Sequence, residues 1–250
     1  MAKLQIAAIS VVLALAQTAG ARASEITVWT QRSIATVLAE IGPQFERQTG
    51  HKLKVSYDLT ARFVQRIDAG EGFDILVSAA PALMDGLVQR GKLIADTRTP
   101  LVRSGIGVEV RVGAPKPDIG TVDAFKRALL DAKSIGYLPA GSGAYLHGLL
   151  ERLGIADAIK AKVTRPDRDI VSEMVAKGEL EIGMVVITQI LTTPGVDFVG
   201  PLPPELQHYV EFVAAVSADS KDRSAAMDLI KFLKGPIAIP VIRAQGMEPL

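Results

Sequence analysis

The chain contains no cysteine, which excludes a disulfide framework, a thiolate metal site and a cysteine nucleophile. Aromatic residues make up only 5% of it, too few for a base-stacking platform. No charge of one sign predominates. The net charge of +1 removes the electrostatic case for a nucleic-acid partner, which calls for a clustered basic excess. Histidine is scarce as well: His51, His147 and His208 stand far apart, with no metal-ligand spacing between them. There is no Gly-x-Ser-x-Gly elbow, no P-loop ending in Gly-Lys-Ser/Thr and no His-Glu-x-x-His. Gly141-Ser142-Gly143 is a fragment of a dinucleotide fingerprint without its third glycine. These absences predict a non-enzyme with neither metal nor cofactor. The different-class alternative is an exported hydrolase, because carboxylates are plentiful and one sequence pairs none of them in space.

What is present is an ordinary globular composition over 250 residues, 48% hydrophobic and 22% charged, with 22 Gly and 14 Pro. One apolar run stands out, at the very start. Lys3 precedes the almost wholly apolar stretch from Ile6 to Ala16, and Ala21-Arg22-Ala23 follows it. A charged region, a short apolar core and an Ala-x-Ala site form a secretory signal peptide, expected to span 1–23 with cleavage near Ala23. The run is too short to span a bilayer, and no second stretch reaches spanning length. The expected product is soluble and periplasmic.

Beyond the leader, β-type runs alternate with helical periodicities. Glu25–Trp29, Leu53/Val55/Tyr57, Asp74–Val77, Ile106–Val112, Ser134–Leu138, Ile182–Ile187 and Tyr209–Val216 read as strands. Helices are expected from Ser33 to Gly50, with Gly42-Pro43 as a candidate break or kink, from Thr60 to Gly70, and over Pro81–Arg90. Others are expected over Gly143–Leu153, Asp169–Ala176, Ser220–Lys234 and Ile237–Gln245. The alternation predicts an α/β fold of parallel βαβ units. Pro194-Gly195 with Pro201, Pro203 and Pro204, and a second segment over Leu101–Gly107, are the expected crossovers between two interleaved lobes.

Three strand-to-helix turns share one design: Gln31-Arg32-Ser33, Leu59-Thr60-Ala61 and Gly141-Ser142-Gly143. Each places a small hydroxyl at a helix start. There unpaired backbone N–H groups and the positive end of the helix dipole favour an anion. Ser and Thr at such positions also serve simply as N-caps.

Several segments, in order and spacing, resemble one family. They are Ser33 with Phe45-Glu46-Arg47-Gln48-Thr49-Gly50, Gln65-Arg66-Ile67, Asp74-Ile75-Leu76-Val77-Ser78-Ala79, and Pro139-Ala140-Gly141 through Tyr145 to Leu149–Gly154. Gly178-Glu179, Gly183-Met184-Val185 and the ending Gln245–Leu250 continue the match. Over nearly the whole mature chain the sequence resembles the periplasmic solute-binding proteins of ABC importers, above all the molybdate/tungstate-binding branch. The resemblance implies a type II periplasmic-binding-protein fold, with two α/β lobes joined by two crossovers around a central cleft. Lobe 1 is expected over 24–103 and 201–250, and lobe 2 over 104–200. A monomer that closes on a small anion and hands it to an inner-membrane ABC permease is implied too.

In that family hydroxyls at the first two helix starts, backbone amides of a third and a tyrosine hydroxyl hold the oxyanion. Carried over to this sequence, the positions are Ser33, Thr60, Ser78, Ser142, Gly143, Ala144 and Tyr145, with Val186 where the family has its tyrosine. Arg32 and Arg62 flank the first two, and Arg168 falls near a backbone-donating position. Losing a tyrosine hydroxyl while gaining guanidiniums suits carboxylates, since arginine presents a planar fork of donors. The expected ligand is therefore an organic di- or tricarboxylate, with molybdate or tungstate as the alternative. Trp29 is expected in the core rather than against the ligand.

Overall fold

The computed structural model of the protein describes residues 23–250, so the expected leader, up to residue 22, lies outside the described residues. The first half-chain builds β1 (Glu25–Thr30), α1 (Arg32–Thr49), β2 (Lys52–Tyr57), α2 (Thr60–Asp68), β3 (Ile75–Ser78) and α3 (Pro81–Gln89). A long strand, β4 (Thr99–Arg111), leads to α4 (Val122–Asp131), β5 (Ile135–Gly136), α5 (Ser142–Arg152), α6 (Ala156–Ile159) and β6 (Val163–Thr164). Next come α7 (Val171–Lys177), β7 (Ile182–Val186), α8 (Ile187–Thr192) and β8 (Val196–Pro201). The chain ends with β9 (Tyr209–Val216), α9 (Arg223–Leu233), α10 (Ala238–Ala244) and β10 (Glu248–Pro249). Among the described residues no helix is long and apolar enough to cross a membrane.

The strands line up as β2-β1-β3-β9-β4-β7-β5-β6, with β8 and β10 also paired to β4. β1 with β2 and β3, and β5 with β6 and β7, are the parallel pairs that the strand–helix alternation predicts. The middle is different. β9 runs antiparallel to β3 and β4, and β7 and β8 run antiparallel to β4. The reason is β4 itself, which traverses both halves without a helix and so meets returning strands head to tail.

Period-two alternation sorts the side chains into layers on either face of each half-sheet. In the first half Ile26, Val28, Ile75, Val77, Phe212, Ala214 and Val216 face α1, α9 and α10 in one core cluster. Trp29, Leu76, Val213 and Ala215 face the other way, with Phe63, Met84 and Leu87. Trp29 is buried there, its ring stacked on Phe63 and Phe73 and covered by the Arg66 guanidinium at 3.8 Å. In the second half Ile106, Val108, Val110, Ile182 and Met184 pack on α4 and α5, and Val185 packs on α7.

Several local expectations change in three dimensions. α1 runs unbroken through Gly42-Pro43, because Ile41 and Phe45 stay anchored in the core. A side chain at 42 would meet Leu53 Cδ1 at 3.1 Å, so the glycine lets the helix lie close on β2. β2 is an edge strand, and Val55 and Tyr57 are exposed rather than half-buried. β8 and α4 add to the elements that the sequence alternation predicts.

The two crossings between the halves are β4 and the segment after β8. β4 pairs with β9 up to Gly105 and with β7 from Ile106. Leu202 and Leu206 pack into the second core and Val210 into the first, so the returning chain passes between the two cores over Gln207-His208. There the Gln207 amide bonds both backbone groups of Ile106, accepting from its N–H at 2.9 Å and donating to its carbonyl at 3.0 Å. Both crossings are thus tied at one point, which fixes where the halves meet.

Candidate functional site

A narrow cavity of ≈ 60 Å³ lies where the halves face each other. Gln31, Ser33, Leu59, Ala79, Val210 and Phe212 line it from the first half, and Leu138, Ala140, Gly141, Ser142, Asp169, Val186 and Gln189 from the second. These residues sit at the ends of β1, β3, β7 and the β5–α5 turn, where open α/β sheets generally bind ligands.

Two helix starts meet at this cavity. α1 begins after Gln31 and α5 after Gly141, and neither is capped by a side chain. Ser33 and Ser142, expected as caps, instead sit inside the first turn, buried in the cavity wall. Of the first-turn N–H groups, that of Ile34 bonds the Gln31 carbonyl at 3.1 Å, and those of Gly143 and Ala144 bond the Ala140 and Gly141 carbonyls at 3.1 and 3.2 Å. That leaves Arg32, Ser33 and Ser142 to supply backbone donors, and the dipoles bring positive potential to the same place. The Gln31 side chain accepts from the Ala79 N–H at 3.0 Å, fastening the ends of β1 and β3 together. Gly143 is required: a Cβ there would lie 1.5 Å from the Leu138 carbonyl oxygen, so only glycine lets α5 start so close to the strand.

The second-half wall also holds acids. The Asp169 side chain is 14% exposed; its Oδ1 accepts from Gln189 Nε2 at 2.9 Å, and its Oδ2 lies 3.8 Å from Arg32 Nε. Burial raises its pKa, opposed by Arg32 and Gln189. Behind it Glu109 is fully buried, accepting from Ser172 Oγ at 2.8 Å. Burial pushes the Glu109 carboxyl up to about 7, and the neighbouring Glu173 and Asp169 push the same way. Gly183 makes room for it, since a Cβ there would meet Glu109 Oε1 at 2.5 Å.

Arg32 crosses the divide. Its guanidinium pairs with Glu173, donates to the Asp169 carbonyl at 2.9 Å and lies 5.3 Å from the Tyr57 ring centre. It therefore lies outside the cavity lining, engaged with the opposite wall. The other two arginines expected at the ligand also lie elsewhere. Arg62 is exposed and donates to Gln65 on its own helix at 3.3 Å, and Arg168 is exposed beside Asp169.

Of the remaining expected positions, Ser33, Ser142 and Val186 line the cavity. Val186 joins the first-half core cluster, so an apolar contact stands where the family's tyrosine hydroxyl would donate. Ser78 is buried just behind, its Oγ accepting from the Ala80 N–H at 3.2 Å. Gly143 and Ala144 shape the start of α5 without lining the cavity. Tyr145 points away. Its hydroxyl donates to the Leu206 carbonyl at 2.8 Å and its ring stacks on His208 at 4.2 Å, bracing the return crossing. Thr60 opens α2, and its side chain lies outside what the structure describes. Gln31, Asp169 and Gln189 are the site residues that sequence reading did not select. Among the described residues no group of three or more His, Cys, Asp or Glu could hold a metal ion.

Two α/β halves joined by two crossings, with helix N-termini converging on the cleft between them, define a type II periplasmic binding protein. Comparison with known proteins agrees: the chain belongs to the bacterial extracellular solute-binding proteins, whose family model matches residues 26–248. It is 32% identical over 231 residues to an aconitate isomerase from Pseudomonas sp, covering 90% of this chain and 88% of that one. It is 28% identical over 235 residues to the molybdate-binding protein ModA of Azotobacter vinelandii, covering 90% of each chain. The solved periplasmic molybdate-binding protein of Azotobacter vinelandii matches it in fold, with a TM-score of 0.75 at 19% identity. That match covers 89% of this chain and 98% of the other.

Proposed function

We propose that this protein is exported to the periplasm and captures a small organic anion, a di- or tricarboxylate, for delivery to an inner-membrane ABC permease. It acts as a monomer whose lobes close on the ligand, without turnover. The observation that carries anion capture is the meeting of two uncapped helix starts, with buried Ser33 and Ser142, in one cavity. Such termini hold an anion with neutral donors, in place of its hydration. A carboxylate is favoured over a tetrahedral oxyanion because Val186 lines the cavity where the family has its tyrosine, which removes one of the donors that hold the oxyanion. The 32% identity to a protein named for aconitate, a tricarboxylate, supports the same choice. The molybdate-binding relative supports the alternative ligand, molybdate or tungstate.

That isomerase likeness also favours a second reading, in which the cleft transforms the carboxylate it holds. Asp169 is then the candidate to move a proton between carbons, and conversion of cis- to trans-aconitate followed by NMR decides it.

The binding claim is tested by a thermal-shift panel on mature protein stripped of ligand by unfolding and refolding. The panel contains molybdate, tungstate, sulfate, phosphate and a series of mono-, di- and tricarboxylates. A ligand at about 100 times its Kd stabilises by about 2.7 kcal/mol, a shift of a few degrees. Shifts with carboxylates alone support the proposal. Shifts with molybdate or tungstate alone refute it.

A further inference from the structure

An anion-binding cavity gains nothing from a carboxylate in its wall unless the ligand has something to give it. Asp169 lines the cavity with a side chain that is mostly buried, and both of its visible contacts favour the ionised form. Gln189 Nε2 donates to Oδ1 at 2.9 Å, and the Arg32 guanidinium lies 3.8 Å from Oδ2. An ionised carboxylate is an acceptor only, with about four lone-pair directions. Gln189 uses one of them. Arg32 is shared with Glu173 and the Asp169 carbonyl, so it neutralises the wall only in part, and Glu109 adds a further carboxyl behind it.

We infer that Asp169 makes this cleft selective for carboxylate ligands that bring a hydrogen-bond donor of their own, a hydroxyl above all. Anions that offer only acceptors are disfavoured. The inference rests on the carboxylate reading above and deepens it to hydroxy-di- and hydroxy-tricarboxylates. The physical argument is one of complementarity. A ligand carboxylate goes to the helix N-termini of α1 and α5, where the Ser33 and Ser142 hydroxyls and first-turn N–H groups are the donors. Whatever part of the ligand reaches Asp169 must donate, or else two acceptors face each other out of water. A buried polar group left unpaired in this way costs far more than its bond contributes, so presence or absence of one hydroxyl separates otherwise identical ligands.

The test is titration calorimetry with pairs differing by that hydroxyl, malate against succinate and citrate against tricarballylate, on the mature wild-type protein. The expected result is a preference of about 10- to 100-fold for the hydroxylated member of at least one pair. Asp169→Asn, which can both accept and donate, is expected to bring the same pair within about threefold, mainly by strengthening the donor-free member. The wild-type comparison stands even if the variant folds poorly. Equal binding within both pairs overturns the inference while leaving carboxylate capture intact, as does tightest binding of aconitate, which has no hydroxyl. Binding of molybdate or tungstate alone overturns both.

Discussion

The two walls of the cleft are built differently. The first-half wall presents Gln31, Ser33, Leu59 and Ala79, with no carboxylate among them, and its cation Arg32 reaches out of the wall. The second-half wall presents Ser142 at an equivalent helix start, but sets Asp169 and Gln189 beside it, with Glu173 and Glu109 behind. Anion affinity can come from either helix terminus. On the reading proposed above, discrimination between anions comes from the second wall, where an acceptor stands among donors. Arg32 joins the two, because its partners lie across the divide and pairing with them draws the halves together.

The comparison can be broken most severely at Gly143. Alanine there places a methyl on the Leu138 carbonyl, displacing the start of α5 from the second wall. The expected loss is about 3 kcal/mol or more, with ligand binding abolished, read by urea denaturation and calorimetry. Gly86→Ala in α3, where nothing lies within 4 Å, is the first-half control and is expected to stabilise by about 0.5–1 kcal/mol.

Glu109 sharpens the same contrast through pH. Its folded pKa of about 7 lies above its ordinary 4.5, so the native protein holds a proton that the unfolded chain has released between those values. Stability therefore falls as pH rises from 4.5 to 7, and above 7 the whole cost of an ionised buried carboxyl stands, about 3 kcal/mol. Glu109→Gln keeps an oxygen for the Ser172 hydroxyl and removes that cost. It is expected to be more stable than wild type at pH 8 and little changed at pH 4.5, by denaturation at both.

A smaller effect is expected from Arg32→Ala, which leaves Asp169 and Glu173 facing each other without their cation. The pairs are only partly buried, so the expected loss is about 1–2 kcal/mol at pH 7. Denaturation at pH 4 against pH 7 checks it, since protonating the acids should shrink the loss. The smallest effects belong to Arg62→Ala and Arg168→Ala. Both side chains are exposed and outside the cavity lining, so stability should move by less than about 0.5 kcal/mol. Ligand affinity should move by less than about threefold.

Much of the fold was legible because burial is periodic. β1, β9, α3 and the paired C-terminal helices follow alternation or helical spacing that needs no tertiary information. The antiparallel middle was hidden because β4 looks like any strand until its two ends prove to lie in different halves. Of the cavity lining, Ser33 and Ser142 follow from the local chemistry of helix starts and Val186 from family likeness. Asp169 was read only as the opening of a helix in a polar Arg-Pro-Asp-Arg-Asp run, where neighbouring charges gave no reason to single it out. Gln189 sits in the apolar run of α8, and only contact with Asp169 shows what it does. Arg32, Arg62 and Arg168 stand outside the cavity lining for a general reason: sequence proximity to a site does not fix where a long flexible side chain places its charge. Tyr145 stands outside the cavity lining too: its loop resembles the family's, but its hydroxyl bonds the Leu206 carbonyl.

The central claim is that both helix starts hold one carboxylate ligand between unlike walls. The most direct measurement is calorimetric titration of citrate and of molybdate into wild type, Ser33→Ala and Ser142→Ala. The expected result is saturable citrate binding in wild type, weakened about tenfold by each substitution alone, with no heat from molybdate. Molybdate binding that neither substitution weakens, with none for citrate, would contradict the account.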